Sequence, residues 1–317
     1  MTTPAGMPDV VVAGGAADER LAVAPAIEGR SPWRLAWRRL RRDRWAMASL
    51  ATIGALVLLA LLAPLAVKVI GHPPNVQYRD TGLTYDGSPV GPSRTFWMGT
   101  DNLGRDVLSR IVYGTRVSLL VGVVATGLSI VIGVAVGLVA GFYGGAVDTV
   151  LSRFVDTMLS FPFLLTAIAL VSIVGPGLSV SIFVIVLFSW TGVARIVRGQ
   201  VLSIREKEYV EAARSLGAGP LRTMLVDVLP NLTGPLIVYA TLLVPTAIVF
   251  EATLSFLGLS VVPPTATWGN MLADAEQYYT QAWWFITFPS LALLVTTLAF
   301  NLLGDGLRDA LDPRSEL

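Results

Sequence analysis

The chain has 317 residues, of which 54% are hydrophobic and 14% charged, and its formal net charge at pH 7 is +1. Long stretches without a charged residue make a bilayer the natural solvent for much of the chain, which indicates a membrane protein. Cysteine is absent, so disulfides, thiol nucleophiles and thiolate metal sites are excluded.

The chain begins with residues 1–31, which are rich in Ala, Gly, Pro and Val and show no sustained periodicity. They lack a basic start followed by an apolar run and a cleavage site, so we expect a disordered cytoplasmic tail and not a signal peptide. Next, Trp33, Trp37 and Leu40 recur at helical spacing among arginines. This pattern predicts a helix in the headgroup layer, which fits both a topology anchor and a role in gating.

Six apolar segments are long enough to cross roughly 30 Å of hydrocarbon. Because backbone donors cannot stay unpaired in lipid, we predict helices and therefore an all-α, polytopic membrane protein. The third segment is short and nearly adjoins the fourth, so these two predict a tight helical hairpin. The six predicted spans are residues 47–67, 117–141, 158–174, 178–197, 235–258 and 284–303.

The basic residues predict the orientation. With the N-terminus inside, 17 Lys and Arg residues lie on the cytoplasmic side and 6 outside, which accounts for all 23. This distribution places both termini in the cytoplasm. Arg105, Arg110 and Arg116 oppose it, because they lie at the outer end of the second span. The external segment between Lys68 and Arg116 is long enough either to receive a partner or to form a passive cap.

Some residues within the spans have a predicted structural role. Gly133, Gly137 and Gly141 belong to a stripe of small residues at every fourth position, which predicts close packing against another helix without any chemistry. Prolines at positions 162, 245 and 289 predict bent helices. Glu251 lies within the fifth span, and we expect a neighbouring helix to satisfy it, so that it does not relay protons.

The residue inventory argues against an enzyme. The single histidine, His72, follows the first span, so a Ser–His pair or a His-based zinc site within the membrane is excluded. Neither lysine follows a glycine, so the phosphate-binding sequence G-x-x-x-x-G-K-[ST] is absent. We predict no catalytic residue, no metal or cofactor bound by this chain, and no nucleic-acid partner. The alternative to an ATP-coupled transport subunit is a secondary transporter or channel independent of ATP.

A polar helix is predicted between the fourth and fifth spans. It covers residues 206–216, with Tyr209, Ala213 and Leu216 on one face. The opposite face is polar and carries Glu208, Glu211 and Ser215.

The end of this polar helix is also predicted. Gly217 follows it at a position that favours positive φ, and Pro220 suits the first turn of a second helix to about Leu229. Asn231 and Gly234 then lead into the fifth span. The pattern predicts a helix–turn–helix on the cytoplasmic side that could accept force from a partner, and the simpler alternative is a solvated loop.

The stretch EAARSLG, followed by Leu229 and Pro230, resembles the EAA loop of ABC importer permeases, the segment that docks into a groove of the cytoplasmic ATPase. One departure is Asp227, where the general motif often has an apolar residue. Further stretches resemble the C-type permease subunit of dipeptide, oligopeptide and nickel importers over residues 96–314. These are MGTDNLGRDVLSRIVYGTRVSL, EATLSFLGL, TWGNML and NLLGDGLRDALDPR.

The resemblance implies a type I ABC importer permease fold with six transmembrane helices and a cytoplasmic coupling helix, in the inner membrane. It implies a B-type permease as heterodimer partner, two ATPase subunits or one fused ATPase holding ATP and Mg, and an extracytoplasmic binding protein. The implied cargo is a di- or oligopeptide, with nickel and other solutes left open. The implied ATPase-coupling residues are Glu208, Tyr209, Glu211, Ala212, Ala213, Arg214, Leu216, Gly217 and Ala218.

Four regions are predicted along the chain. Residues 1–31 form the tail, and residues 32–116 hold the interfacial helix, the first span and the external segment. Residues 117–307 form a five-helix permease core with the EAA loop, and residues 308–317 form a cytoplasmic C-terminal tail.

Overall fold

The computed structural model describes residues 32–312. The predicted tail over residues 1–31 lies outside the described residues, as do residues 313–317. Within the described range the chain is helical, with two isolated β-bridges and no strand. The helices are α1 (Pro32–Leu40), α2 (Arg44–Leu61), α3 (Ala63–Ile70), α4 (Arg79–Gly82), α5 (Val107–Tyr143), α6 (Gly145–Ser160), α7 (Phe163–Val174), α8 (Leu178–Ile204), α9 (Glu208–Ser215), α10 (Pro220–Arg222), α11 (Leu229–Phe256), α12 (Trp268–Ala275) and α13 (Trp283–Leu311).

Five helical runs among the described residues are long and apolar enough to cross a membrane. They are α2, α5, α8, α13 and a continuous run over Pro220–Phe256. The last run joins α10 to α11 through a π-helical segment, Thr223–Val228. A sixth crossing is present if α6 and α7, which are bent by 83° relative to each other, count as one span. The all-α fold therefore has the six predicted crossings only if α6 and α7 together form one broken span.

The third predicted span, residues 158–174, is not a single helix. α6 ends at Ser160 and α7 begins at Phe163, with Pro162 between them. Proline lacks an amide hydrogen and disfavours helical geometry in the residue before it, so the chain turns here. The 12 residues of α7 extend about 18 Å, less than the hydrocarbon thickness.

The first predicted span, residues 47–67, is also divided. α2 ends at Leu61 and α3 begins at Ala63, with a proline in the first turn of α3. Pro64 cannot donate the amide hydrogen bond that would continue α2. The structure therefore assigns the crossing to α2 and places α3 after it as a separate helix.

Other helices run past the apolar segments that predicted them. α5 has 37 residues and is roughly 55 Å long, because helical hydrogen bonding continues through its polar first turns. Asp106 caps it by accepting a 2.7 Å hydrogen bond from the Ser109 amide. The predicted region boundaries at 116/117 and 307/308 consequently fall inside the continuous helices α5 and α13.

The bundle is organised around α5. This helix packs along α8 and against α11, while α13 packs against α2 and α11. The C-terminal ends of α5 and α8 share a buried cluster with α9, and α1 packs on the C-terminal end of α13. We call this end of the bundle the α9 end.

The opposite end is covered by the cap, which we define as residues 71–106. The Thr100 hydroxyl donates a 2.5 Å hydrogen bond to the Gly82 carbonyl and accepts a 2.8 Å bond from the Val90 amide. Phe96 is buried, and the Trp284 indole of α13 donates a 3.2 Å bond to the Thr100 carbonyl. The segment that the sequence left open as a receptor or a passive cap is thus a compact unit fixed to the bundle.

Candidate functional site

The polar helix α9 is attached to the bundle by a single fully buried side chain. Val210 lies in the same cluster as Phe142 of α5, Val201 of α8 and Met224 of the π-helical segment. The Arg214 guanidinium adds a cation–π contact 4.7 Å from the centre of the Phe142 ring. These contacts hold α9 against the helix ends, so it is not a loose loop.

The apolar face predicted for α9 points away from the bundle. Tyr209 is 46% and Leu216 is 89% exposed, while Ala213 is half-buried. Glu208 and Glu211 are exposed in the first turn, where their charges favour the helix N-terminus. The other residues of the predicted coupling set lie on the same segment, exposed or half-buried: Ala212, Arg214 and Ala218. α9 and Leu216 therefore form an exposed apolar surface with acidic neighbours, which the described residues leave uncovered.

The turn after α9 depends on Gly217. Its φ is +86°, the left-handed conformation that the sequence predicts there. The Gly217 amide donates to the Arg214 carbonyl at 2.9 Å, and the Ala218 amide donates to the Ala213 carbonyl at 3.0 Å. A Cβ at Gly217 would meet no atom within 4 Å, so the requirement for glycine comes from the backbone alone.

The chain after this turn does not form a separate second helix. The sequence predicted a helix that ends near Leu229 before Asn231 and Gly234, but helical structure continues from Pro220 to Phe256. The π-helical segment Thr223–Val228 precedes Pro230 and keeps the run continuous. The Gly217 turn is therefore followed directly by a membrane-spanning helical run.

The glycine stripe of α5 lies against α8, the helix that leads into α9. A Cβ at Gly137 would lie 2.5 Å from the Ala194 carbonyl oxygen, and one at Gly141 would lie 2.8 Å from the Val201 Cβ. A Cβ at Gly133 would likewise collide with α8. Because only hydrogen fits at these positions, α5 and α8 approach closely.

A buried ionic cluster at the opposite end was missed by the sequence reasoning, which treated its arginines as free charges. The Arg105 Nε donates to Asp101 at 2.5 Å, and its Nη2 donates to Asp274 at 3.2 Å. The Arg110 Nε lies 3.3 Å from the same Asp101. Burial raises the pKa of Asp274, although Arg105 opposes the shift. The alternation of acids and arginines in TDNLGRD could have indicated this pairing.

The membrane acid Glu251 is completely enclosed. Its carboxylate accepts a 2.6 Å hydrogen bond from the Ser255 hydroxyl and a 3.3 Å bond from the Ser118 hydroxyl of α5. The Ser260 hydroxyl lies 3.5 Å away. A neighbouring helix therefore does satisfy this side chain, as the sequence predicted.

Within the described residues, no group of three or more His, Asp or Glu side chains is arranged to hold a metal ion. The candidate site is the surface formed by α9, the Gly217 turn and the start of the helix that follows.

Comparison with known proteins gives two family matches along the chain. Residues 133–316 match the family described as binding-protein-dependent transport system inner membrane component. Residues 31–84 match the N-terminal TM domain of oligopeptide transport permease C.

Individual relatives agree with these matches. The di/tripeptide transport system permease protein DppC of Pseudomonas aeruginosa is 43% identical over 290 residues, covering 92% of this chain and 95% of the relative. The glutathione transport system permease protein GsiD of Pectobacterium atrosepticum is 40% identical, covering 93% and 96%.

A solved structure is similar to this chain in fold. It is a chain of the MetNI methionine ABC transporter in an inward-facing conformation, with a TM-score of 0.54 and 22% identity. The match covers 65% of this chain and 97% of that chain. At this level of identity the likeness shows a shared fold.

Proposed function

We propose that this chain imports di- or oligopeptides. It belongs to the family of binding-protein-dependent transport system inner membrane components and is the permease subunit of an ABC importer. The relatives named above are permeases for di- and tripeptides and for glutathione, and they align over nearly the whole chain. The cargoes that these names give are all short peptides.

The proposed orientation places the α9 end in the cytoplasm, with both termini there and the chain in the inner membrane. The 17 basic residues assigned to that side support it. Arg105 and Arg110 opposed this orientation in the sequence, but each lies next to the buried carboxylate of Asp101. Arginines that are paired with a carboxylate in this way count less than unpaired arginines in the charge distribution that determines orientation.

The proposed partners are a B-type permease in a heterodimer, two ATPase subunits or one fused ATPase, and an extracytoplasmic binding protein. ATP and Mg would be held by the ATPases, because this chain has no phosphate-binding loop. The cap is the surface that we assign to the binding protein. The exposed Tyr209 and Leu216 of α9 are the apolar contacts that we assign to the ATPase groove.

In the proposed mechanism, ATP binding closes the ATPases and draws α9 with them. Val210 and the Arg214–Phe142 contact transmit this displacement to the ends of α5 and α8. The Gly217 turn transmits it to α11 through the continuous run Pro220–Phe256. The bundle then switches as packed rigid units between inward- and outward-facing arrangements, and hydrolysis resets it.

One observation carries this proposal: α9 is fixed to three helices on one side and presents an exposed apolar face on the other. The test is to reconstitute the complete importer in proteoliposomes and to measure uptake of a labelled dipeptide delivered by the binding protein. We expect uptake that requires ATP and is competed by di- and tripeptides. Uptake that persists without ATP and follows a proton gradient would support a secondary transporter instead. An assembled importer that takes up labelled nickel but no dipeptide would exclude a peptide cargo.

A further inference from the structure

Helix α1 has one face that packs on α13. Ala36 and Leu40 are buried, and Leu40 lies in a cluster with Leu307 and Ala310 of α13. The Arg39 guanidinium donates a 2.8 Å hydrogen bond to the carbonyl of Asp312, just beyond the end of α13. α1 is therefore fixed to the last turns of α13.

The other face of α1 is strongly basic. Exposed arginines follow one another from α1 into the first residue of α2, and none of them forms an ion pair within the described part of the chain. They are Arg34, Arg38, Arg41, Arg42 and Arg44. The acid within this stretch of sequence, Asp43, is the N-cap of α2 and accepts hydrogen bonds from the Trp45 and Ala46 amides. Among the described residues no carboxylate pairs with these arginines, so this surface can attract negative charge from a binding partner.

Exposed tryptophans identify the source of that charge. Trp33, Trp37 and Trp45 are 52%, 44% and 73% exposed among the arginines, and the Arg41 guanidinium lies 4.9 Å from the centre of the Trp37 ring. Indole rings favour the boundary between headgroups and acyl chains. The membrane-spanning α2 also begins at Arg44, so this surface lies at the level of the headgroups. Soluble phosphate would satisfy the arginines and leave the indoles in water.

The surface is mechanically connected to a cleft at the α9 end. Arg308 and Leu311 of α13 line a cleft of about 620 Å³ together with Gln200 of α8 and Tyr239 of α11. The fit between α1, α2 and α13 is close, because a Cβ at Gly306 would lie 2.5 Å from the Ala46 Cβ. Anything that holds α1 in place therefore also holds the wall of this cleft.

We propose that α1 and the start of α2 form a binding surface for anionic phospholipid, and that its occupancy supports transport by holding the end of α13. Each basic side chain near an anionic membrane surface contributes an attraction that falls with added salt. Lipid binding and transport are thus coupled through α1 and α13.

The test uses the complete importer in nanodiscs of phosphatidylcholine with increasing phosphatidylglycerol. Retention of phosphatidylglycerol is measured by mass spectrometry of the lipids that remain bound after detergent extraction, and uptake is measured in proteoliposomes of the same compositions. The variant is Arg38→Gln with Arg42→Gln, two exposed arginines at i, i+4. The matched control is Arg116→Gln with Arg153→Gln, two exposed arginines outside α1, the cap and α9. Labelling of single cysteines verifies that both variants keep their orientation.

We expect the α1 variant to lose phosphatidylglycerol retention on the order of tenfold and to lose the stimulation of uptake by this lipid, while the control keeps both. Equal retention in the wild type and the α1 variant would overturn the proposal, as would uptake that is the same in both lipids. The uptake arm rests on the proposed peptide import, but the retention arm does not. Absence of peptide uptake in every lipid would therefore contradict the cargo and leave the retention result to decide on the lipid surface.

Discussion

At the scale of single residues, the roles within α9 differ from those that periodicity predicts. The sequence groups Tyr209, Ala213 and Leu216 as the apolar face, and a helix in water normally buries such a face. The structure buries Val210 instead and leaves Tyr209 and Leu216 exposed. A helix that docks on both sides has two apolar faces, and a pattern alone cannot tell which of them meets a partner.

Replacing Gly217 by valine is expected to uncouple ATP hydrolysis from uptake while sparing membrane assembly. The strain of a β-branched residue at a φ of +86° is about 1–2 kcal/mol, which is small for the bundle and large for a docking element. The assay compares complex recovery, ATP hydrolysis and uptake in the reconstituted importer.

The matched control for this substitution is Gly219→Val. Gly219 lies in the same turn with a φ of −69°, and a Cβ there also meets no atom within 4 Å. It should behave like the wild type, and Gly217→Asn should lose less than Gly217→Val because asparagine tolerates the left-handed region. Normal coupling in an assembled Gly217→Val importer would mean that the turn does not transmit force.

Replacing Glu251 by glutamine should leave the pH dependence of uptake unchanged. The side chain is enclosed by the hydroxyls of Ser118, Ser255 and Ser260, and an amide can still accept hydrogen bonds from two of them. Uptake is measured across pH at equal amounts of folded protein. A shifted profile would assign proton transfer to Glu251 and favour a secondary transporter.

At the scale of the elements, hydropathy locates the spans but not their breaks. The apolar content of residues 158–174 predicts one helix. Pro162 cannot donate a backbone hydrogen bond, and this allows the 83° bend between α6 and α7. Hydropathy also predicts helix ends at the wrong residues, because an N-cap such as Asp106 lets α5 begin within a polar segment. The positions of the polar helix α9 and of the Gly217 turn could be predicted, since both depend on local sequence.

The contact between α5 and α8 should not tolerate a methyl group at its centre. Gly137→Ala places a Cβ against the Ala194 carbonyl, and overpacking of this kind costs about 1–3 kcal/mol. Gly127→Ala, on the same helix with no atom within 4 Å, is the control. A lower apparent Tm in detergent is expected for Gly137→Ala alone, and equal melting of both variants would show that α5 and α8 are not closely packed there.

At the scale of the whole molecule, the proposal assigns transmission to this chain and the motor to partner ATPases. The buried ion pairs of the cap stabilise one end, and the α9 end carries apolar side chains that the described part of the chain leaves exposed. The sequence could indicate that partners are needed, because it lacks a phosphate loop. It could not indicate how α9 is oriented, because that depends on contacts between residues as distant in the chain as Phe142 and Arg214.

The isolated chain is therefore expected to hydrolyse no ATP. Purified protein is assayed for phosphate release before and after addition of the ATPase subunits, with hydrolysis appearing only after the addition. Substantial hydrolysis by the chain alone, after removal of contaminants, would contradict its assignment as a permease subunit.

The central claim, that α9 docks on the ATPase, is tested most directly by site-specific crosslinking. Because the chain has no cysteine, a single cysteine at Leu216, which is 89% exposed, can be labelled with a benzophenone before assembly. A cysteine at Trp97, 64% exposed in the cap, is the control. Photolysis of the complete importer should give an adduct with the ATPase from position 216 and none from position 97. An assembled importer that gives no ATPase adduct from position 216 would contradict the account.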